Sequence, residues 1–205
     1  MLELRGVTCV RGGRPLFSGI TASARTGELL RIRGGNGSGK TSLLRMVCGL
    51  SAPAQGQVLW GGEKVATLRE EMGRQLVYIG HAAALKDDLS ALENLQSAAS
   101  LSGNPCSTAE ALRALGDSGL RGRERLPARV LSQGQRRRAA LARLALGNST
   151  PLWVLDEPFN ALDSVATTWL AGCIAGQLRR GGVVVLTSHQ DTVLDGGASE
   201  VSVAL

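Results

Sequence analysis

Apolar and polar positions along the chain follow two different rhythms. Up to about residue 80, the runs LELRGVTCV (2–10), LFSGITASA (16–24) and GELLRIR (27–33) alternate and are broken by turns such as RGGRP and RTG. That is the pattern of half-buried strands. SLLRMVCGL (42–50) has helical spacing instead, and Gly49 ends it. GQVLWGGEKV (56–65) returns to strand and turn, and QLVYIG (75–80) has the continuous apolar character of a buried strand. From about 82 to 150 helical spacing dominates, in SALENLQSAASL (90–101), STAEALRALG (107–116) and SQGQRRRAALARLAL (132–146), each with a hydroxyl residue placed to cap it. PLWVLDEP (151–158) reads as a central strand of a parallel sheet, and GGVVVLTSH (181–189) as a last buried strand. Between them, SVATTWLAGCIAGQL (164–178) repeats apolar residues at helical spacing, which predicts Trp169 and Cys173 in the core. The pattern predicts an α/β core holding a helical insertion.

Composition narrows the partners. The 205 residues are 43% apolar and 20% charged, enough for one well-buried core with a smaller lobe attached. A net charge of +6 suits an anionic partner, but aromatics are only 3%, too few for platforms that stack single-stranded nucleic acid. Three of the 23 basic residues are Lys (Lys40, Lys64 and Lys86), so arginine clusters carry little information here. Cys9, Cys48, Cys106 and Cys173 form no C-x-x-C pair, which points away from a zinc or redox motif and towards a reducing compartment. The N-terminal MLELRGVTCV lacks the apolar centre of a signal peptide, and no apolar stretch is long enough to span a bilayer. A soluble protein is expected, attached to a membrane only through a partner.

Two stretches carry chemistry. GGNGSGKTS (34–42) fits G-x-x-x-x-G-K-[ST] through Gly34, Gly39, Lys40 and Thr41. Glycines at 34, 35, 37 and 39 leave room for phosphate oxygens to reach backbone N–H groups, and Asn36, Ser38 and Ser42 complete the loop. The loop follows a predicted strand and opens a predicted helix, whose positive end favours an anion. Lys40 is placed to reach the outer phosphates of a nucleotide, and the Thr41 hydroxyl to ligate Mg²⁺. The second stretch is the acid pair Asp156-Glu157 at the carboxyl end of PLWVL, where parallel sheets bind ligands. Asp156 suits Mg²⁺, and Glu157 suits polarisation of an attacking water, which points to ATP hydrolysis.

LSQGQRRRAALARL (131–144) resembles the signature sequence of ABC-type ATPases, usually read LSGGQ, through Leu131, Ser132, Gly134 and Gln135. Gln133 departs from it, at a position expected to tolerate a side chain better than Gly134 does. Arg136, Arg137 and Arg138 fall about 100° apart on a helix, so they make no patch and are expected to be solvated with some support for the signature loop, and no nucleic-acid partner is expected. NALD (160–163) resembles the family's loop that communicates across a dimer, which brings in Asp163, and His189 resembles its switch histidine beside the γ-phosphate. The resemblance implies a P-loop NTPase fold of the ABC nucleotide-binding type: a mixed, largely parallel sheet, an antiparallel β subdomain and a small helical subdomain. Residues 1–81 and 150–205 would form the nucleotide-binding core of a single domain, and 82–149 the helical part. It further implies ATP and Mg²⁺ as cofactors and a head-to-tail homodimer in which Ser132, Gly134 and Gln135 of one copy complete the ATP site of the other.

Two departures are informative. His81 stands where the family usually has a Gln that senses Mg²⁺ and the transport subunit, and Arg11 stands where an aromatic usually stacks on adenine. A guanidinium plane can also stack on a base. VYIGH with LSALENL downstream, in a compact chain, resembles the ATP-binding subunits of cytochrome c maturation systems, the haem exporters. That implies membrane-spanning partner subunits and a peripheral place on the cytoplasmic face of the bacterial inner membrane. An ABC transporter for another substrate, a non-transport ABC ATPase and a kinase remain as alternatives; the last does not account for Ser132, Gly134 and Gln135.

Overall fold

The alternating N-terminal runs become two long strands, β1 (Leu2–Arg11) and β2 (Arg14–Ala24), in a computed structural model that describes residues 1–146, 150–188 and 199–205. Gly12 and Gly13 join them, both at positive φ (55° and 75°), the two-residue turn whose twist matches that of the strands it connects. β4 (Gln55–Trp60) and β5 (Glu63–Lys64) extend this antiparallel sheet in the order β2-β1-β4-β5.

The second sheet holds β3 (Leu29–Arg33), β6 (Leu76–Ile79), β7 (Leu152–Leu155), β8 (Val183–Thr187) and β9 (Glu200–Ala204), in the order β6-β7-β8-β3-β9. β7, β8, β3 and β9 pair in parallel. Every residue of β7 and β8 is buried, as strands covered on both faces require. Helix α1 (Lys40–Val47) and helix α2 (Arg69–Gln75) belong to the same part of the chain. α2 and β9 lie outside the expected elements: α2 is a two-turn helix, and β9 is a five-residue strand whose one buried side chain is Val203.

The chain divides into two compact units. One comprises Met1–Tyr78, Thr150–Pro158 and Ile174–Leu205, with a core of Leu, Ile and Val from both sheets packed on Leu43, Leu44, Met46 and Val47 of α1. The other comprises Ile79–Ser149 and Phe159–Cys173. Its core gathers Leu92 and Leu95 of α3 (Ala91–Leu101), Ala111 and Leu115 of α4 (Thr108–Asp117), Leu120, and Ala139 of α5 (Gln133–Leu141). Residues 159–173 thus group with the helical segment expected at 82–149. One tie within this unit is the ion pair of 2.9 Å between Asp163 and Arg138 on α5.

Three helices of the second unit begin with a reciprocal cap in which a serine hydroxyl accepts from the third helical N–H and that residue's side chain accepts from the serine N–H. The pairs are Ser90 with Glu93, Ser107 with Glu110 and Ser132 with Gln135. The hydrogen bonds from the Ser90 hydroxyl and N–H hold the Glu93 carboxyl below the ordinary carboxylate range. The helix expected over 132–146 is α-helical only to Leu141 and tightens into a 3-10 turn over Ala142–Ala145.

Helix α6 (Ser164–Arg179) corrects the expectation for Trp169 and Cys173. Its buried stripe is Ala166, Leu170, Ile174, Gln177 and Leu178, with Trp169 and Cys173 half-buried at the margin. A glutamine takes an inner position because its Nε2 donates to the Thr150 carbonyl at 2.8 Å, an acceptor that an apolar residue would leave unbonded. Among the described residues no helix is long and apolar enough to cross a membrane.

Candidate functional site

The phosphate-type loop joins the end of β3 to α1, and its geometry follows from its glycines. Gly39 has φ 103° and sits as the N-cap of α1; a Cβ there would lie 2.8 Å from the Phe17 ring. With no side chain at the N-cap, nothing from the cap residue bonds to the helix end, in contrast to the serine-capped helices of the second unit. The Gly39 carbonyl accepts from Leu43, so the N–H groups of Lys40, Thr41 and Ser42 precede the first bond of the helix and form its positive end. A Cβ on Gly34 would lie 2.5 Å from Ser38 Oγ. That hydroxyl is buried and bonds to none of the described residues, a donor that a phosphate oxygen would satisfy. Gly35, Asn36 and Gly37 are exposed at the loop's crest.

Lys40 is buried and folds back over this loop, its Nζ donating to the carbonyls of Gly34 (2.8 Å) and Gly35 (3.1 Å) and standing 3.7 Å from Glu157 Oε1. The loop therefore holds its one ammonium inside, next to an acid, where a polyphosphate would compete for it.

The acid pair reaches the same place because β7, β8 and β3 are neighbours in parallel, so their carboxyl ends lie side by side. Leu155 is in register with Leu186, and Ile32 with Thr187. Asp156 is buried; its Oδ2 accepts from the Thr41 hydroxyl at 2.8 Å and its Oδ1 from the Thr187 hydroxyl at 2.9 Å. Glu157 is buried as well, with φ 48°, a left-handed conformation unusual for a residue with a side chain. Its N–H donates to Thr187 Oγ1 at 2.8 Å. Thr41 and Asp156 offer hard oxygens, the donor set of Mg²⁺, which takes few protein ligands and completes its shell with phosphate and water. Among the described residues no group of three His, Cys, Asp or Glu side chains could hold a metal by itself. Cys48, next to α1, is a neutral thiol, its pKa pushed up to about 12 by burial.

In the second unit, Ser132 caps α5: its Oγ accepts from Gln135 N at 3.3 Å while Gln135 Oε1 accepts from Ser132 N at 3.0 Å. The exposed hydroxyl keeps its proton to donate outwards. Gly134 tolerates no side chain, since a Cβ would lie 2.8 Å from the Ala161 carbonyl oxygen. Gly134→Ala is expected to destabilise the protein by about 1–3 kcal/mol through overpacking, seen as a lower thermal midpoint; an unchanged midpoint would mean that the 159–163 loop yields freely.

Of the three arginines behind the signature, Arg137 is buried, which corrects the expectation for it, while Arg136 and Arg138 stay half-buried and paired. Arg136 donates to the Ala128 carbonyl (2.9 Å) and pairs with Asp87 (2.7 Å). Arg137 is buried and its Nη1 donates to the carbonyls of Gly80 (2.6 Å) and His81 (3.3 Å). Arg138 pairs with Asp163, whose other oxygen accepts from Ala166 N at 2.9 Å and so caps α6. Because successive residues point 100° apart, each arginine meets a different neighbour. The composition, with arginine common everywhere, concealed this.

Of the remaining candidates, Arg11 is exposed at the tip of the β1–β2 hairpin, in register with Arg14. The His81 side chain is exposed. His189 lies outside the described residues. Thr187 was missed from the sequence, although one signal was present: it is the sole hydroxyl in an otherwise apolar buried strand, Val183–Thr187.

Comparison with known proteins adds four findings. The family model for ABC transporters matches residues 17–160. The cytochrome c biogenesis ATP-binding export protein CcmA of Dechloromonas aromatica is 49% identical, over 96% of each chain. The dimeric structure of a bacterial ABC transporter cassette superposes with a TM-score of 0.84 at 25% identity, covering 100% of this chain and 94% of that one. A dimeric ATP-binding cassette in a post-hydrolysis state, bound to ADP and Pi, superposes with a TM-score of 0.78 at 26% identity, covering 93% and 88%.

Proposed function

Since this chain belongs to the family of ABC transporter ATP-binding subunits, we propose that it hydrolyses ATP to drive the export step of a cytochrome c maturation system, moving haem or releasing a haem chaperone. One observation carries the reading: Thr41, Asp156, Thr187 and Glu157 are joined by hydrogen bonds of 2.8–2.9 Å beside a buried lysine in a glycine loop. That set suits a triphosphate and a water next to it.

The roles follow from the chemistry. Gly34, Gly35, Asn36, Gly37, Ser38 and Gly39 surround the phosphates with N–H groups, and Lys40 and Ser42 add donors. Thr41 and Asp156 would hold Mg²⁺, which when bound neutralises charge on the phosphate oxygens. Glu157 accepts the proton of the attacking water as its oxygen bonds to the γ-phosphorus and the bond to the ADP oxygen breaks. His189 steadies that water and the γ-phosphate, and Arg11 stacks on the adenine. In a head-to-tail homodimer, Ser132, Gly134 and Gln135 of the second copy donate to the γ-phosphate at the start of its α5, and Asp163 links the two sites. The protein acts at the cytoplasmic face of the inner membrane, bound to membrane-spanning subunits.

His81 replaces the usual glutamine and is proposed to report Mg²⁺ and the state of the membrane subunits. Arg137 supports this, because it bonds the His81 carbonyl from within the signature helix. In the assembled complex, His81→Ala is expected to lower cytochrome c assembly several-fold more than ATPase of the isolated subunit. Equal losses would remove the coupling role. The function itself is tested by co-purification from membranes: companion membrane polypeptides and a haem absorption band support it, and a different set of companions without haem overturns it.

A further inference from the structure

Thr187 has no part in the roles assigned above, and yet it touches both acids. It is fully buried at the end of β8, where its four predecessors are Val183, Val184, Val185 and Leu186. A valine would have the same shape and would suit a buried strand better, since burying an unbonded hydroxyl is costly. Both capacities of this hydroxyl are used. It donates its single proton to Asp156 Oδ1 at 2.9 Å, and its lone pairs accept from Glu157 N at 2.8 Å. The first bond fixes the rotation of the Asp156 carboxylate, so that Oδ2 is turned to Thr41 at 2.8 Å. The second anchors the peptide at which the chain turns left-handed, φ 48° at Glu157, a conformation that persists only where its surroundings hold it.

We infer that Thr187 is a positioning residue for hydrolysis, holding the Asp156 carboxylate and the Glu157 turn in one register through a single hydroxyl. This rests on the roles proposed for the two acids. The parallel sheet sets the distance between β7 and β8; the hydroxyl adds one side-chain bond to the carboxylate and one to the turn, and so ties the two together. Positioning groups behind metal ligands characteristically change affinity or rate without touching substrate.

The test compares Thr187→Val with Thr187→Ser. The valine variant keeps the shape and loses the hydroxyl; it is expected to lower kcat by about 10- to 100-fold and raise the Mg²⁺ concentration for half-maximal turnover. Fluorescent ATP binding without Mg²⁺ should stay at the wild-type affinity. Hydrogen exchange at the Glu157 amide should accelerate, a readout that needs neither nucleotide nor metal. Thr187→Ser should restore all three properties. Wild-type kcat, Mg²⁺ requirement and Glu157 exchange in Thr187→Val would overturn the inference, as would a serine variant that behaves like the valine one. Should the valine variant not fold, Thr187→Ala carries the same expectations. Glu157→Gln measured in parallel separates the two levels: full turnover there would overturn the role of the acid, while faster exchange at Glu157 in Thr187→Val would still support the anchoring.

Discussion

Glu157→Gln leaves a protein that binds ATP and turns it over at least about a hundredfold more slowly, the lower end of the range for losing a general base. Gln has the shape of Glu and keeps the backbone, so the left-handed turn and its bond to Thr187 persist. What changes is charge: the amide accepts no proton from water, and a negative group 3.7 Å from Lys40 is removed. The loss of that negative charge also favours a bound triphosphate, because the γ-phosphate no longer faces a second anion and Lys40 no longer divides its attraction. The ATP-bound state should therefore accumulate as a dimer. Size-exclusion chromatography with ATP checks this, alongside a phosphate-release assay. A variant that stayed monomeric with ATP, or hydrolysed at the wild-type rate, would sink both the base and the shared site.

Lys40→Ala is expected to weaken ATP binding by about 1.5–3 kcal/mol, the range for a hydrogen bond to a charged group, which is about 10- to 150-fold in Kd. The structure adds a second loss. Lys40 Nζ bonds the carbonyls of Gly34 and Gly35, so the loop proposed to cradle phosphate is itself held by this side chain. Its removal also takes away the cation beside the buried Glu157 carboxylate, and stripping one partner from a buried pair is destabilising. Lys40→Met keeps the stem and drops the ammonium, so the same loss of affinity in both variants assigns the effect to the ammonium, with its loop and Glu157 contacts, and not to packing of the stem. Titration calorimetry with ATP provides the measurement, and an unchanged Kd would refute the role.

Local sequence carried much of this. The glycine loop with Lys40 and Thr41, the acid pair after an apolar run, and the serine caps at 90, 107 and 132 are each contained within a few residues, and their chemistry depends on nearby backbone. A cap or a cradle is a short-range object, so spacing is enough to find it. Burial is different. The helical spacing of α6 located a stripe but not its width, and the chain places Gln177 inside while Trp169 and Cys173 remain half-buried, because an unbonded Thr150 carbonyl costs more than apolar surface gains. Arg137 looked like one of many arginines until two carbonyls were found waiting for its guanidinium.

By itself, then, the amino-acid order marked out the residues proposed to touch phosphate, metal and water, since those abilities belong to side-chain type and local backbone. Only the tertiary structure decided that Thr41, Asp156 and Thr187, separated by up to 146 positions in the numbering, would share one hydrogen-bonded chain. The reason is the strand order β7-β8-β3, which no short window of sequence encodes: parallel neighbours bring distant carboxyl ends together, and a lone hydroxyl acquires its meaning from the strand that lies beside it.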